Sequence, residues 1–142
     1  MNGADNVVPA EKAEDIVKTA MQTRSDLLAL DHQLQEEIDE IVLTAARAGN
    51  PLSDADKARR RELRARQLEV DDSFEELAFA TLARLNNSAD LVELKKKIDA
   101  ISGNLGDDLT HLKNIAKYAA IAAKVADGLA QLALKAAAAL AP

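Results

Sequence analysis

From Ala10 to Ala48 the chain contains no glycine or proline, and apolar side chains recur at every seventh position: Ala13, Ala20, Leu27, Leu34, Ile41 and Ala48. Ile16, Leu30, Ile38 and Ala45 widen that row into the broad stripe by which a helix packs on its neighbours. No segment alternates at every second residue as a half-buried strand does, and no repeat of solenoid length is present. A helix of ~39 residues, ~58 Å long at 1.5 Å per residue, is the expectation for 10–48. Pro9 suits its first turn, where a missing N–H costs nothing, and Gly49-Asn50-Pro51 ends it. Residues 1–9 read as a flexible N-terminal arm.

A second helix is expected over 54–86. Ser53 can cap its first free N–H groups, with Asp56 at the reciprocal position of a capping box. Its apolar row is Leu63, Val70, Phe74, Leu77, Thr81, Leu82 and Leu85, and Asn86-Asn87-Ser88 provides a turn. From Leu91 a cleaner heptad runs through Leu94, Ile98, Ile101 and Leu105. The same phase continues as Leu112, Ile115, Ala119, Ala122, Ala126, Leu129, Ala133, Ala136 and Leu140. Within it, Ser102-Gly103-Asn104-Leu105-Gly106-Asp107-Asp108 has the composition of a helix stop followed by a new cap. Two interior glycines cost ~1 kcal/mol each, which a long packed helix absorbs. The fold class is therefore all-α: an antiparallel helical bundle or coiled coil of three long helices (10–48, 54–86, 89–140) in a single domain over 10–142. The third helix is kinked or broken near Gly103–Gly106. A full reversal there gives a four-helix bundle instead.

Composition narrows the chemistry. The chain has no Cys, and therefore no disulfide framework, thiolate nucleophile or cysteine zinc site. Its aromatics are Phe74, Phe79 and Tyr118, too few for a base-stacking platform. Twenty-four acidic against 18 basic residues leave a net charge of −6 and argue against the nucleic-acid backbone as the main partner. The Ala and Arg content fits a GC-rich bacterial genome. Met1 to Ala10 has no secretory signal, so a cytoplasmic location is the default and signal-less export the alternative.

The basic run Lys57–Arg66 invites a phosphate-binding reading, but the hairpin register offers another. If the first two helices fold back about 49–53, opposing residue numbers sum to roughly 102. Glu40 then lies beside Arg61 and Arg64, and Glu36 and Glu37 beside Arg66. Charges flanking an apolar seam fix orientation and register, and these six residues are assigned that role.

His32 has Glu36 one turn away and Asp39 two turns away, and Asp108-x-x-His111 carries the carboxylate-x-x-His spacing of di-iron bundles. Those bundles need two such motifs and two further inward carboxylates, and this chain has one. No nucleophile–base–orienter set or phosphate-cradling loop can be assembled by spacing. The expectation is a protein with no catalytic residues, metal or cofactor.

The Ala-rich last third asks for neighbours on several sides, because it is apolar over most of its circumference. A straight third helix from Ala89 reaches the 49–53 loop near residue 120 and overhangs it by ~30 Å. The overhang would expose more apolar surface than a soluble monomer carries. The apolar face Leu112, Ile115, Ala119, Ala122, Ala126, Leu129, Ala133, Ala136 and Leu140 is thus the expected partner or assembly surface. The functional expectation is a structural, adaptor or assembly subunit binding a second copy or a helical partner. The alternative is a membrane-active helical protein that uses 112–142 as an interfacial segment, with lysines on its polar stripe.

Overall fold

The computed structural model describes residues 7–82, 85 and 87–140, with backbone only for 78–82. Four helices carry the described residues: α1 (Ala10–Arg47), α2 (Asp54–Leu82), α3 (Ser88–Lys113) and α4 (Ala116–Leu140). They pack in a ring, α1 on α2, α2 on α3, α3 on α4 and α4 back on α1. Neighbours are antiparallel, as cross-helix pairs show: Gln35–Gln67 between α1 and α2, Lys97–Glu76 between α2 and α3, and Lys135–Asp15 between α1 and α4. This is an up-down-up-down four-helix bundle.

The sequence signals for α1 and α2 act as expected. Pro9 stands immediately before α1, and its carbonyl accepts from the Lys12 and Ala13 N–H groups. At the other end Gly49 adopts φ 71°, a conformation that only glycine takes without strain. Gly49 N–H bonds the Ala46 carbonyl and Asn50 N–H the Ala45 carbonyl, the paired bonds of a Schellman close. Ser53 Oγ accepts from Asp56 N–H at 3.1 Å at the start of α2.

The expected count of three helices is corrected to four, and the break is moved. α3 runs without interruption through Gly103 and Gly106, and the chain reverses at Asn114–Ile115. A Cβ built on either glycine would meet nothing within 4 Å. Both glycines therefore face open space, and their only cost is backbone entropy. Continuity comes from the opposite side, where Leu91, Leu94, Ile98, Ile101, Leu105, Leu109 and Leu112 are all buried. Removing any of these large side chains would open a cavity worth about 2–5 kcal/mol.

The reversal needs no glycine or proline. Asn114 stays in the right-handed region (φ −85°, ψ −4°), its N–H reaches the His111 carbonyl, and its side chain donates to the Thr110 carbonyl. The Ile115 carbonyl then accepts from Tyr118 and Ala119 N–H groups and starts α4. At the other end of α3, Asn87 and Asp90 form a reciprocal capping box. Of the arm expected over 1–9, residues 1–6 lie outside the described residues. Val7 pairs with Asn87 in an isolated bridge and Val8 is buried against the core. Thr81 and Leu82 of the expected α2 row also lie outside the described side chains. Among the described residues no helix is long and apolar enough to cross a membrane.

Candidate functional site: a projecting hairpin and the cleft at its base

The short α3–α4 connection leaves the first hairpin longer than the second. Glu37 of α1 is level with Lys117 at the start of α4, and Arg66 of α2 is level with Asp108 near the end of α3. Among the described residues, only beyond the end of α3 at Lys113 and the start of α4 at Ala116 does the first hairpin run on without a third or fourth helix beside it. None of the residues from 39 to 62 is buried. From Ile38 to Arg47 α1 projects ~14 Å as half of a two-helix tip. Ile41 and Ala45 on the inner seam are only half-buried, and Val42 and Leu43 are 39% and 49% exposed. An overhang therefore exists, but it belongs to the first hairpin and not to α4.

Around the base of the tip the four helices enclose a cleft of about 410 Å³. Leu63, Leu112 and Ile115 supply its apolar wall, and Glu37, Arg59, Glu62, Arg66, His111 and Lys117 its polar and charged one. Glu37 accepts from Lys117 Nζ at 2.8 Å and also pairs with Arg59. The hydrogen bond from Lys117 holds the Glu37 carboxyl below its usual range and raises Lys117 in return. On the opposite wall Arg66 bridges Glu62 at 2.9 Å and Asp108 at 2.7 Å. Tyr118 also lines the cleft but is 3% exposed, and its hydroxyl is buried without a hydrogen-bond partner among the described residues. Burial, and after it the field of Glu37, pushes the phenol up from its ordinary value.

The six register charges divide. Glu37 and Arg66 are engaged, but not with each other. Arg66 is half-buried and turns to Asp108 on α3, while Glu37 is held by Arg59 and Lys117. Glu36, Glu40, Arg61 and Arg64 are exposed and make no ion pair among the described residues. Of the expected assembly face, Leu112, Ala122, Leu129 and Ala136 are buried inside this single chain, and Ala119, Ala126, Ala133 and Leu140 are half-buried. Ile115 alone of the nine is exposed. The buried stripe of α4 is Tyr118, Ala122, Val125, Leu129, Leu132 and Ala136. Tyr118, Val125 and Leu132 set this stripe apart from the expected one, and they are larger than the alanines at 119, 126 and 133 that they replace at the core.

His32 is exposed, and Asp108 is taken by Arg66. Among the described residues no group of three or more His, Asp or Glu could hold a metal ion. Comparison with protein-family models, curated proteins and solved structures returns no match.

Proposed function

We propose that this chain is a non-catalytic assembly subunit that binds helices by bundle completion, and that its partner is the projecting hairpin of a second copy. The observation that carries this reading is the tip itself: two helices with a half-covered apolar seam and no further layer over 39–58. An isolated helix pair is marginal in water, and two such tips packed together make four helices around one seam. Charge supports a second copy as the occupant. At and around the base of the tip α1 carries exposed Glu36 and Glu40 and α2 carries exposed Arg61 and Arg64, none in an ion pair among the described residues. A two-fold interface places the acidic side of one copy on the basic side of the other, because an isologous contact uses the same patch twice. Such pairs set orientation more than affinity.

Sedimentation of the full chain over a range of concentration and salt tests this. The expected result is a monomer–dimer equilibrium that weakens with salt. It should be lost in Leu43→Glu, a position outside the core, with the helical signal and melting temperature retained. Arg61→Glu/Arg64→Glu should fail to self-associate but pair with Glu36→Lys/Glu40→Lys. A monomer at every accessible concentration, or a dimer indifferent to Leu43→Glu, would rule the reading out.

A further inference from the structure

We propose that the seam between α2 and α3 is a docking groove for a basic helix of another protein, seated along the acidic edge of α2. The starting observation is the edge that α2 turns to α3. Arg66 and Glu76 pair with Asp108 and Lys97 of α3, and Glu69 and Ser73 line a groove shared with it. These four positions follow one another at helical spacing and none is apolar. A helix packs on its neighbours through an apolar stripe, and α2 commits its own, Leu63, Val70 and Leu77, to the core. Among the described residues α2 and α3 are accordingly the least closely packed of the four neighbouring pairs. The groove left between them measures about 350 Å³. Of its lining, Ser73 and Ile101 are buried, while Ala100 and Asn104 are exposed on the α3 side.

Charge selects the occupant. Glu69, Asp72 and Glu76 stand three and four residues apart on the α2 side of the groove, and Glu75 continues that edge. Like charges at these spacings destabilise the helix that carries them. Among the described residues Glu76 is bonded by Lys97 at 2.9 Å, whereas Glu69, Asp72 and Glu75 make no ion pair. On the α3 side Lys96 and Lys97 are drawn to Glu93 and Glu76. A guest helix with lysine or arginine at i, i+3 and i+7 repeats the axial rise of Glu69, Asp72 and Glu76, ~4.5 and then ~6 Å. Alanine or serine beside those cations lets it approach Ser73 and Ala100 closely, in the helix-in-groove mode. None of these residues belongs to the tip over 39–58, so this site and the self-association proposed above are independent.

The probe is a labelled, alanine-rich peptide of ~18 residues, long enough to be helical alone, with lysines at that spacing. Fluorescence anisotropy against the full chain should show saturable binding that weakens with salt. Replacing the lysines by glutamate should abolish it. Glu69→Gln/Asp72→Asn should bind the probe about tenfold more weakly, the loss of two facing charges. Ala100→Leu, at an exposed position and with no change of charge, should cost as much by filling the groove. Both variants should keep the parent's helical signal, and Leu43→Glu should bind the probe as the parent does. The proposal is overturned if the probe does not bind saturably or if its glutamate version binds as well. It is also overturned if Ala100→Leu binds as tightly as the parent, which would mark a diffuse attraction between a basic peptide and an acidic protein. Loss of self-association in the groove variants would overturn it too, because the occupant would then be the basic run over 57–66 of a second copy.

Discussion

Gly128 of α4 lies so close to Thr23 of α1 that a Cβ added to the glycine would sit 2.3 Å from the threonine Oγ1. Thr23 is buried, its hydroxyl donates to the Thr19 carbonyl at 2.8 Å, and its own Cβ and Cγ2 would be only 3.1 Å from the added atom. Rotating the side chain therefore exchanges one clash for another. Gly128→Ala should destabilise the bundle by about 1–3 kcal/mol, despite alanine's advantage of about 1 kcal/mol in a helix. Thermal melts followed by circular dichroism measure this. Adding Thr23→Ala should recover part of the loss, since it removes Oγ1 and Cγ2 but not the Cβ contact.

The opposite sign is expected on α3. Gly103 and Gly106 sit in helical conformation with open space where a Cβ would go. Gly103→Ala and Gly106→Ala should each stabilise by up to about 1 kcal/mol. Either variant melting below the parent would mean that the chain does not pass through this segment as one helix.

A pH dependence follows from the α1–α2 seam. Burial, and then a hydrogen bond with Asp31, push Asp71 up to about 6 from an ordinary 3.8, and Asp72 and Glu75 add to the shift. The sign follows from linkage: an acid raised on folding holds its proton more tightly in the folded state. The penalty for ionising it is absent below about pH 4 and complete above about pH 6, so its contribution to stability falls as pH rises through that window. The carboxyl is partly desolvated but Asp71 as a residue is exposed, so screening reduces the effect to about 1 kcal/mol. Asp71→Asn should raise the melting temperature at pH 7 and flatten the profile between pH 4 and 6. A parent whose stability rises across that window with the same slope as the variant would contradict this.

Ion pairs should differ in worth according to burial. Arg66 and Asp108 have side chains 16% and 18% exposed and bond at 2.7 Å. Asp108→Ala should cost about 1–2 kcal/mol, because it leaves a half-buried guanidinium with Glu62 alone. Arg64→Ala, at an exposed position without an ion pair among the described residues, should change stability by less than about 0.5 kcal/mol. Urea titrations of the two variants give the comparison.

Much of the fold is legible where local chemistry and packing agree. Gly49 must reach positive φ and Ser53 must cap, so the end of α1 and the start of α2 are written in residue type. The reversal at Asn114–Ile115 is not, because its backbone stays in regions open to any residue and it is closed by carbonyl bonds of ordinary geometry. The glycines at 103 and 106 carry the conventional breaker signal but face open space, where they are merely tolerated. In α4 alanine on almost every side lets two phases fit, both passing through Ala122, Leu129 and Ala136. Of the candidate site, Glu37 and Arg66 are visible as charged neighbours of the seam. Tyr118 becomes meaningful only once α4 folds back and brings it into the field of Glu37, about 80 positions away in the chain.

Lys135 reaches Asp15 across the α1–α4 seam, and Val7 pairs with Asn87 beside the start of α3. The beginning of α1 and the end of α4 thus share one end of the bundle, and the hairpin tip stands at the other. Whatever is fused to or immobilised through either end is held some 50 Å from the tip, given a ~57 Å length for α1. The bundle then behaves as a post with its unfinished layer facing outward, accessible from the same side whichever end is anchored.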